Sequence, residues 1–285
     1  MNIKVRQARR ADKGPLMSFI KDVWGGHDYI PYVWDDWLKD KKSKMFVVLA
    51  DGKQVGMNRV CFMEDGSAWL EGARVHPDFR GLGMATALAE ESMREAMKRG
   101  ARIFRLASGT WNKRAHRHIA RIGFKEVSRI RAYVPSKAMR RVTTEGVRRA
   151  GAEDSTKVQR MIRNSRDFRL GSGVMWDTFA AIALTGNVVT RALSRGDAYV
   201  YGDAVAIARP SGAEREYWRQ VCFLAGEGDD AVRIMRHVFW RKERFRTARR
   251  IVYVPKGSAL IGKLRDAGME RDYSLILFER GAANG

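Results

Sequence analysis

The stretch Val75-His76-Pro77-Asp78-Phe79-Arg80-Gly81-Leu82-Gly83-Met84-Ala85 decides how the chain is read. It joins a strand-like segment, Ala68 to Val75, to a helix predicted over Gly83 to Lys98. The helix has an inner stripe of Ala85, Leu88, Ala89, Ser92 and Ala96, side chains small enough to lie close on a sheet. Gly81 and Gly83 remove the side chains that would shield backbone N–H groups. The helix start behind them presents further N–H groups with a favourable dipole, and Arg80 adds a charge. Together these features form an anion cradle sized for a pyrophosphate. A Gly-x-Gly pair alone also serves as an ordinary strand-to-helix turn. Neither the dinucleotide fingerprint nor the Walker loop fits, because the further glycines and the Gly-Lys-Ser/Thr end are missing.

Outward from that turn, strands and helices alternate. Ile3 to Ala8, Met45 to Ala50, Val55 to Met63 and Ile103 to Ala107 read as strands. Asp12 to Trp24 and Asn112 to Ile122 read as helices. The order strand, helix, three strands, helix, strand, helix predicts a mixed α/β sheet. The second half repeats the outline. Asp154 to Asn164 is a predicted helix, and Ala198 to Tyr201 with Ala204 to Ala208 a hairpin. Then come a strand over Tyr217 to Leu224, a helix over Asp230 to Arg244, a strand over Ile251 to Val254, a helix over Ser258 to Asp266 and a strand over Tyr273 to Phe278. Arg121 to Glu126 matches Arg265 to Glu270, a helix running into glycine, an apolar residue and a strand. The chain therefore reads as two copies of one fold, residues 1–140 and 152–285, joined near Pro135 to Gly151.

Composition narrows the class. At 285 residues with 45% hydrophobic and 30% charged side chains, the chain is long enough for one large or two smaller cores. No apolar run approaches the ~18 residues of a membrane helix. The N-terminus has no apolar leader, so the expectation is a cytoplasmic protein without a membrane partner. Cys61 and Cys222 lie in apolar strand-like stretches and read as buried thiols. The net charge is +22; residues 1–140 carry 28 Lys/Arg against 15 Asp/Glu and the remainder 26 against 17. Such a field attracts polyanions, whether nucleic acid, phosphorylated cofactor or acidic substrate. A merely solvated basic surface gives the same count, so charge alone does not choose a function. The run Arg233 to Arg250, with Arg236, Arg241, Lys242, Arg244, Arg246, Arg249 and Arg250, is the candidate nucleic-acid contact, with a solvated helix face as the plainer reading. No coiled-coil or other association signal indicates an oligomeric state.

The cradle resembles the central motif of the GCN5-related N-acetyltransferase (GNAT) superfamily. Its pattern Arg/Gln-x-x-Gly-x-Gly/Ala is met by Arg80, Gly83 and Ala85, preceded by Val75 and Pro77. A later pattern is met by Asn112, Ala115, Gly123 and Phe124. The resemblance spans about residues 3 to 134. It implies tandem acyl-CoA N-acyltransferase-like domains, each a mixed, mostly antiparallel sheet flanked by helices, with the second copy degenerate. It implies acetyl-CoA as cosubstrate, wedged between the fourth and fifth strands with its pyrophosphate on Arg80, Gly81, Leu82, Gly83, Met84 and Ala85. Backbone groups of Ala73 and Val75 would meet the pantetheine arm, Asn112 would lie beside it, and no metal is required.

Transfer in that family is direct attack of an amine on the thioester, so the protein must accept the ammonium proton. Glu71 is the candidate base, placed by period two on the face of Ala73 and Val75; an ion-paired glutamate is the plainer reading. A tyrosine frequent in the family falls here at Ile119, which leaves the acid unassigned, with His116 and His118 nearby. The stretch Gly25 to Trp37 falls where the superfamily places a substrate-covering loop, and is loosely similar to that of amino-acid (histidine-type) N-acetyltransferases. Tyr29 and Trp34, with Asp28, Asp35 and Asp36, would suit a cationic or aromatic amine, whether small molecule or peptide; a helix packed by Trp34 and Trp37 is the plainer reading. In the second half the matching turn is Leu224-Ala225-Gly226-Glu227-Gly228-Asp229-Asp230, whose carboxylates would repel a pyrophosphate. The alternative to an enzyme is a module that holds acetyl-CoA or nucleic acid without turnover.

Overall fold

A computed structural model describes residues 1–140, 143–211, 217–241 and 247–282. In the first half β1 (Ile3–Gln7) leads through α1 (Lys13–Ile20) and α2 (Ile30–Lys39) into β2 (Ser43–Ala50), β3 (Lys53–Phe62) and β4 (Ala68–Val75). Then follow α3 (Met84–Lys98), β5 (Ile103–Gly109), α4 (Lys113–Arg121) and β6 (Lys125–Pro135). The second half starts with β7 (Arg148–Arg149), α5 (Ser155–Asn164), α6 (Arg166–Leu170), β8 (Val174–Asp177), β9 (Ala180–Ala183) and α7 (Gly186–Ser194). It continues with β10 (Ala198–Tyr201), β11 (Ala204–Ser211), β12 (Tyr217–Ala225), α8 (Gly228–Trp240), β13 (Thr247–Pro255), α9 (Leu260–Asp266) and β14 (Met269–Gly281).

These elements make two compact units. One holds Met1–Leu106, Ala120–Phe124 and the described residues from Glu279 on; the other holds Ala107–Ile119 and Lys125–Phe278. In the first unit the strand order is β1-β2-β3-β4-β5, antiparallel as far as β4 and parallel between β4 and β5. In the second the order runs β7-β10-β11-β12-β13, antiparallel as far as β12 and parallel between β12 and β13, and continues through β6 to β14. The same sequence of pairings thus occurs twice.

The repeat extends to side chains. Arg6 donates to both carboxylate oxygens of Asp12 at 2.7 and 2.6 Å, and Arg148 does the same to Asp154 at 2.6 and 2.7 Å. Each aspartate also accepts a backbone N–H three residues back, from Arg9 and Gly151. The sequence signature is Val-Arg-x-Ala-x-x-x-Asp, at Val5 to Asp12 and again at Val147 to Asp154. This match is stronger than the Arg121/Arg265 correspondence.

In the first unit α1 and α2 cover one face, with Leu16, Ile20, Ile30, Trp34 and Met57 fully enclosed in their cluster. On β3, Asn58 is buried and donates its amide to Leu88 O at 3.1 Å and Ser92 Oγ at 2.8 Å on α3, so α3 covers the other face. Met84 and Met93 join the predicted stripe of α3, whereas Ala85 lies at its half-buried margin. The second unit buries α8 through Ala231, Ile234, Met235 and Phe239 against β11 and β12. α8 ends at Trp240 rather than Arg244, because its apolar period stops there. Lys242, Arg244 and Arg246 lie outside the described residues, while Arg249 and Arg250 belong to β13. Among the described residues no helix is long and apolar enough to cross a membrane.

Candidate active site

After β4 the chain makes one tight turn at Pro77–Phe79 and reaches Gly81 and Gly83, whose φ angles are 83° and 85°. Side chains rarely adopt that left-handed conformation, which explains both glycines. A Cβ at either would meet nothing within 4 Å, so the backbone faces open space. Gly83 caps α3 without any side chain bonding to the first turn, and that turn carries no acidic residue. The N–H groups of Met84, Ala85 and Thr86 precede the first intrahelical bonds and point out of the helix end. Met84 itself is buried and Leu82 is 47% exposed, so the cradle is made of backbone. Arg80 is exposed, and its Nε donates to Val75 O at 3.3 Å.

Next to the cradle the sheet parts. β4 pairs with β5 at Ala68↔Phe104 and Trp69↔Arg105; beyond these no further β5 partner is found for β4 among the described residues. Ala73 and Val75 lie on that unpartnered stretch. The closed end is held by Arg105, a buried guanidinium that bonds Asp65 and Glu279 at 2.7 Å each and Ser67 Oγ at 3.0 Å. A strand edge without a strand partner, its Ala73 and Val75 carbonyls met by the side chains of Arg74 and Arg80, beside an anion cradle, suits an extended, amide-bearing ligand with a phosphorylated end.

Glu71 sits on β4 at a bulge. The register with β3 runs Met57↔Arg74 and then Arg59↔Glu71, one extra residue on β4, and Gly72 within it has a φ of 66°. The bulge breaks the period of two. Glu71 therefore shares a face with Arg74 and the α2 side, not with Ala73 and Val75 as alternation predicted. A Cβ on Gly72 would come within 2.8 Å of the Trp37 ring, so the missing side chain also admits that indole.

Around Glu71 the first unit gathers a charged and aromatic cluster. Arg59 Nη1 donates to Glu71 Oε1 at 2.7 Å, and its Nη2 bonds Asp40. The Arg59 guanidinium lies over Trp37 at 4.6 Å. Cys61, two residues along β3, donates its thiol to the same Glu71 oxygen at 3.3 Å. Burial first, and the Glu71 charge second, push that thiol far up, so it stays protonated and acts as a donor rather than a nucleophile. Tyr29 meets Trp37 edge-on at 5.7 Å and is 44% exposed. Burial around its phenol, then Glu71, raise it to about 12, so it remains a neutral hydroxyl.

Several other predicted residues take different roles. Trp34 is fully buried in the core under α2, a packing residue and not a substrate surface. Asp28 is buried and held by Arg74 Nε at 2.5 Å, while Asp35 pairs with Lys13 at 2.5 Å and Asp36 is exposed on α2. The carboxylates gathered beside Trp37 through Arg59 are instead Glu71 and Asp40. Asn112 lies in the second unit, where its Oδ1 accepts Ala115 N at 3.2 Å and caps α4. His116 is engaged with Gly109 O at 3.0 Å and with the Phe278 ring at 5.5 Å. Ile119 is buried, so α4 offers no acid at that position. In the sequence Cys61 reads as a buried thiol and Trp37 as a packing residue, and Arg59 is passed over. That all three converge on Glu71 is not legible there, because it depends on the bulge register and on which face of α2 turns inward.

The matching turn of the second unit also carries two positive-φ glycines, Gly226 and Gly228, but its cap Glu227 is extended where Gly83 is left-handed, and its charge is opposite. Glu227 stands at the cap of α8, and Asp229 and Asp230 fill its first turn. Asp230 closes over the β10–β11 turn, where a Cβ on Gly202 would lie 2.3 Å from its carboxylate. Asp229 pairs with Lys263 at 3.2 Å. The end of β12, Cys222 to Ala225, is buried and apolar where β4 carries Glu71 to Arg74.

The profile of the Acetyltransferase (GNAT) family matches residues 11–124. A histidine N-acetyltransferase of Oreochromis niloticus is 35% identical over 82 residues, 28% of this chain; the chain spans only 24% of that relative's length. An uncharacterized N-acetyltransferase of Methanocaldococcus jannaschii is 30% identical over 154 residues, covering 46% of this chain and 66% of that protein. Among solved structures, a GCN5-related N-acetyltransferase from Sphaerobacter thermophilus superposes with a TM-score of 0.62 at 16% identity. That likeness covers 98% of this chain and 95% of the other and speaks for the fold of both halves. With its glycine cradle, its parted β4 and β5 and these matches, the chain belongs to the GNAT superfamily.

Proposed function

We propose that the first unit transfers an acetyl group from acetyl-CoA to a primary amine. The observation that carries this reading is the parting of β4 from β5 immediately before a glycine cradle with no acidic residue in its helix turn. The fit is favourable: the backbone of Arg80 to Ala85 faces open space for a pyrophosphate, and the Ala73 to Val75 edge offers groups for the amides of pantetheine. When bound, acetyl-CoA supplies an activated acyl carbonyl on a thiol leaving group.

This chain's residues then have defined tasks. Among the described residues the hydrogen bonds to Glu71 fall on Oε1, which leaves Oε2 to accept a proton from the substrate ammonium. The neutral amine nitrogen forms the new bond to the acyl carbon, the carbon–sulfur bond breaks with its electrons on sulfur, and the second nitrogen proton passes to the departing thiolate. Asp40 and Glu71 set two carboxylates against the single guanidinium of Arg59, so the cluster attracts a cation. Tyr29 and Trp37 add an aromatic wall. Free amino acids with aromatic or cationic side chains fit this lining, and the partial similarity to histidine N-acetyltransferases makes histidine the first to test. The two copies, residues 1–140 and 152–285, share the fold, and the second keeps it without holding CoA.

The test is thiol release from acetyl-CoA with a panel of amino acids and small amines. Glu71→Gln should lower kcat on the order of 10²-fold, the lower range for loss of a general base, with the KM for acetyl-CoA retained. Equal turnover in Glu71→Gln contradicts Glu71 as the base.

A further inference from the structure

We infer that Arg59 is the positioning residue that aims Glu71, with Cys61 as its second support; the inference rests on the reading of Glu71 as the base. Arg59 is joined to three neighbours at once. Its guanidinium fork spans Glu71 and Asp40, its flat face lies on Trp37 at 4.6 Å, and its side chain is only 12% exposed. A guanidinium presents rigidly spaced donors in one plane, so fixing one nitrogen on Asp40 fixes where the other meets Glu71. Trp37 is fixed in turn by the absent side chain at Gly72, whose Cβ would stand 2.8 Å from the ring. The bulge that moves Glu71 to this face is therefore also what admits the ring that braces Arg59.

The direction of hold matters as much as its strength. Both Arg59 and Cys61 bond Oε1 of Glu71, at 2.7 and 3.3 Å, and among the described residues no hydrogen bond to Oε2 accompanies them. A carboxylate pinned through one oxygen has lost its rotational freedom, and its other oxygen is presented in a fixed direction. Arg59 and Cys61 are two residues apart on β3 and so project to the same side, as the shared contact requires. A surface ion pair would hold neither its geometry nor much energy. This one is enclosed, braced by a ring and shared between two acids. Placed this way Arg59 touches no substrate and acts through Glu71.

The test is a double-mutant cycle on kcat with Arg59→Met and Glu71→Gln. If Arg59 works through Glu71, Arg59→Met lowers kcat on the order of 10²-fold, the cost of a misplaced group, but adds nothing further once Glu71→Gln is present. Arg59→Lys keeps the charge and gives up the fork, so it should recover part of the loss; it also serves if Arg59→Met does not fold. Cys61→Ser, which keeps a donor, should lose less than Cys61→Val. Acetyl-CoA affinity, measured by calorimetry, stays within twofold in each folded variant. Additive losses in the cycle, or full activity in a folded Arg59→Met, overturn the inference. A Glu71→Gln enzyme as active as wild type instead overturns the reading of the base, and the two failures are told apart by that single variant.

Discussion

The turns before α3 and before α8 share an outline, differ at the cap, where Gly83 is left-handed and Glu227 extended, and do opposite things with charge. Each leaves a strand that has a parallel neighbour, passes through two glycines with positive φ and enters a helix with no side-chain cap. Before α3 the exposed N–H groups meet no carboxylate, whereas α8 places Asp229 and Asp230 in the same positions of its first turn. Carboxylates there stabilise a helix by meeting its dipole. The second unit thus meets its helix dipole with its own carboxylates. The first leaves its own open, which is a cost in stability that a bound anion can offset.

The largest effect should come from moving the carboxylates. Ala85→Asp with Thr86→Asp gives α3 the first turn of α8. Two like charges near a pyrophosphate cost about 4 kcal/mol each at 4 Å in a surface-like dielectric, so acetyl-CoA affinity should fall at least ~10³-fold. The unfolding temperature should hold or rise, since the same charges favour the helix. A parallel fall in stability would mean that the turn, not the charge, had been damaged.

Next in size is Gly72→Val, which gives β4 a side chain at its bulge, as β12 has along its buried end. The positive φ and the approach of Trp37 together should cost about 3 kcal/mol, read by chemical denaturation. Folded protein that survives should have lost the Glu71 cluster.

A smaller effect tests what the units share. Arg148 holds Asp154 down to about 2 from an ordinary 3.8. Burial works to raise Asp12, but its bonds to Arg6, Arg9 and Gln54 outweigh that and hold it low. Depressed carboxylates contribute stability above pH 3.8 and lose it as pH falls toward 2. Unfolding temperature followed from pH 5 to pH 2 should therefore drop more steeply in wild type than in Asp12→Asn or Asp154→Asn. The smallest effect is Asp229→Ala, which should cost about 0.5 kcal/mol of unfolding free energy and confer no affinity for acetyl-CoA.

Much of this arrangement is written in local pattern. β4 was bounded correctly at Ala68 and Val75, and α3 to within a residue, because a turn signal and an amphipathic stripe each act over a few neighbours. The cradle glycines were legible for the same reason. Gly72 was not. Ala-Trp-Leu-Glu-Gly-Ala-Arg-Val alternates like a regular strand, and only the pairing with β3 reveals the extra residue. Trp34 and Tyr32 show a similar limit. Both are aromatic on one short helix, yet Trp34 is fully enclosed and Tyr32 is 84% exposed, since the packing of α1 and β2 decides which side turns in. The β8–β9 hairpin went unread, because its two strands are four residues each. α7 went unread despite the Thr185 cap, whose hydroxyl accepts Val188 N.

Calorimetric titration with acetyl-CoA, of wild type beside the Ala85→Asp/Thr86→Asp variant, tests the central claim most directly. The account predicts micromolar binding by wild type and none detectable in a variant that melts at the same temperature or higher. Equal binding by both would show that the open helix end of the first unit does not hold the cosubstrate.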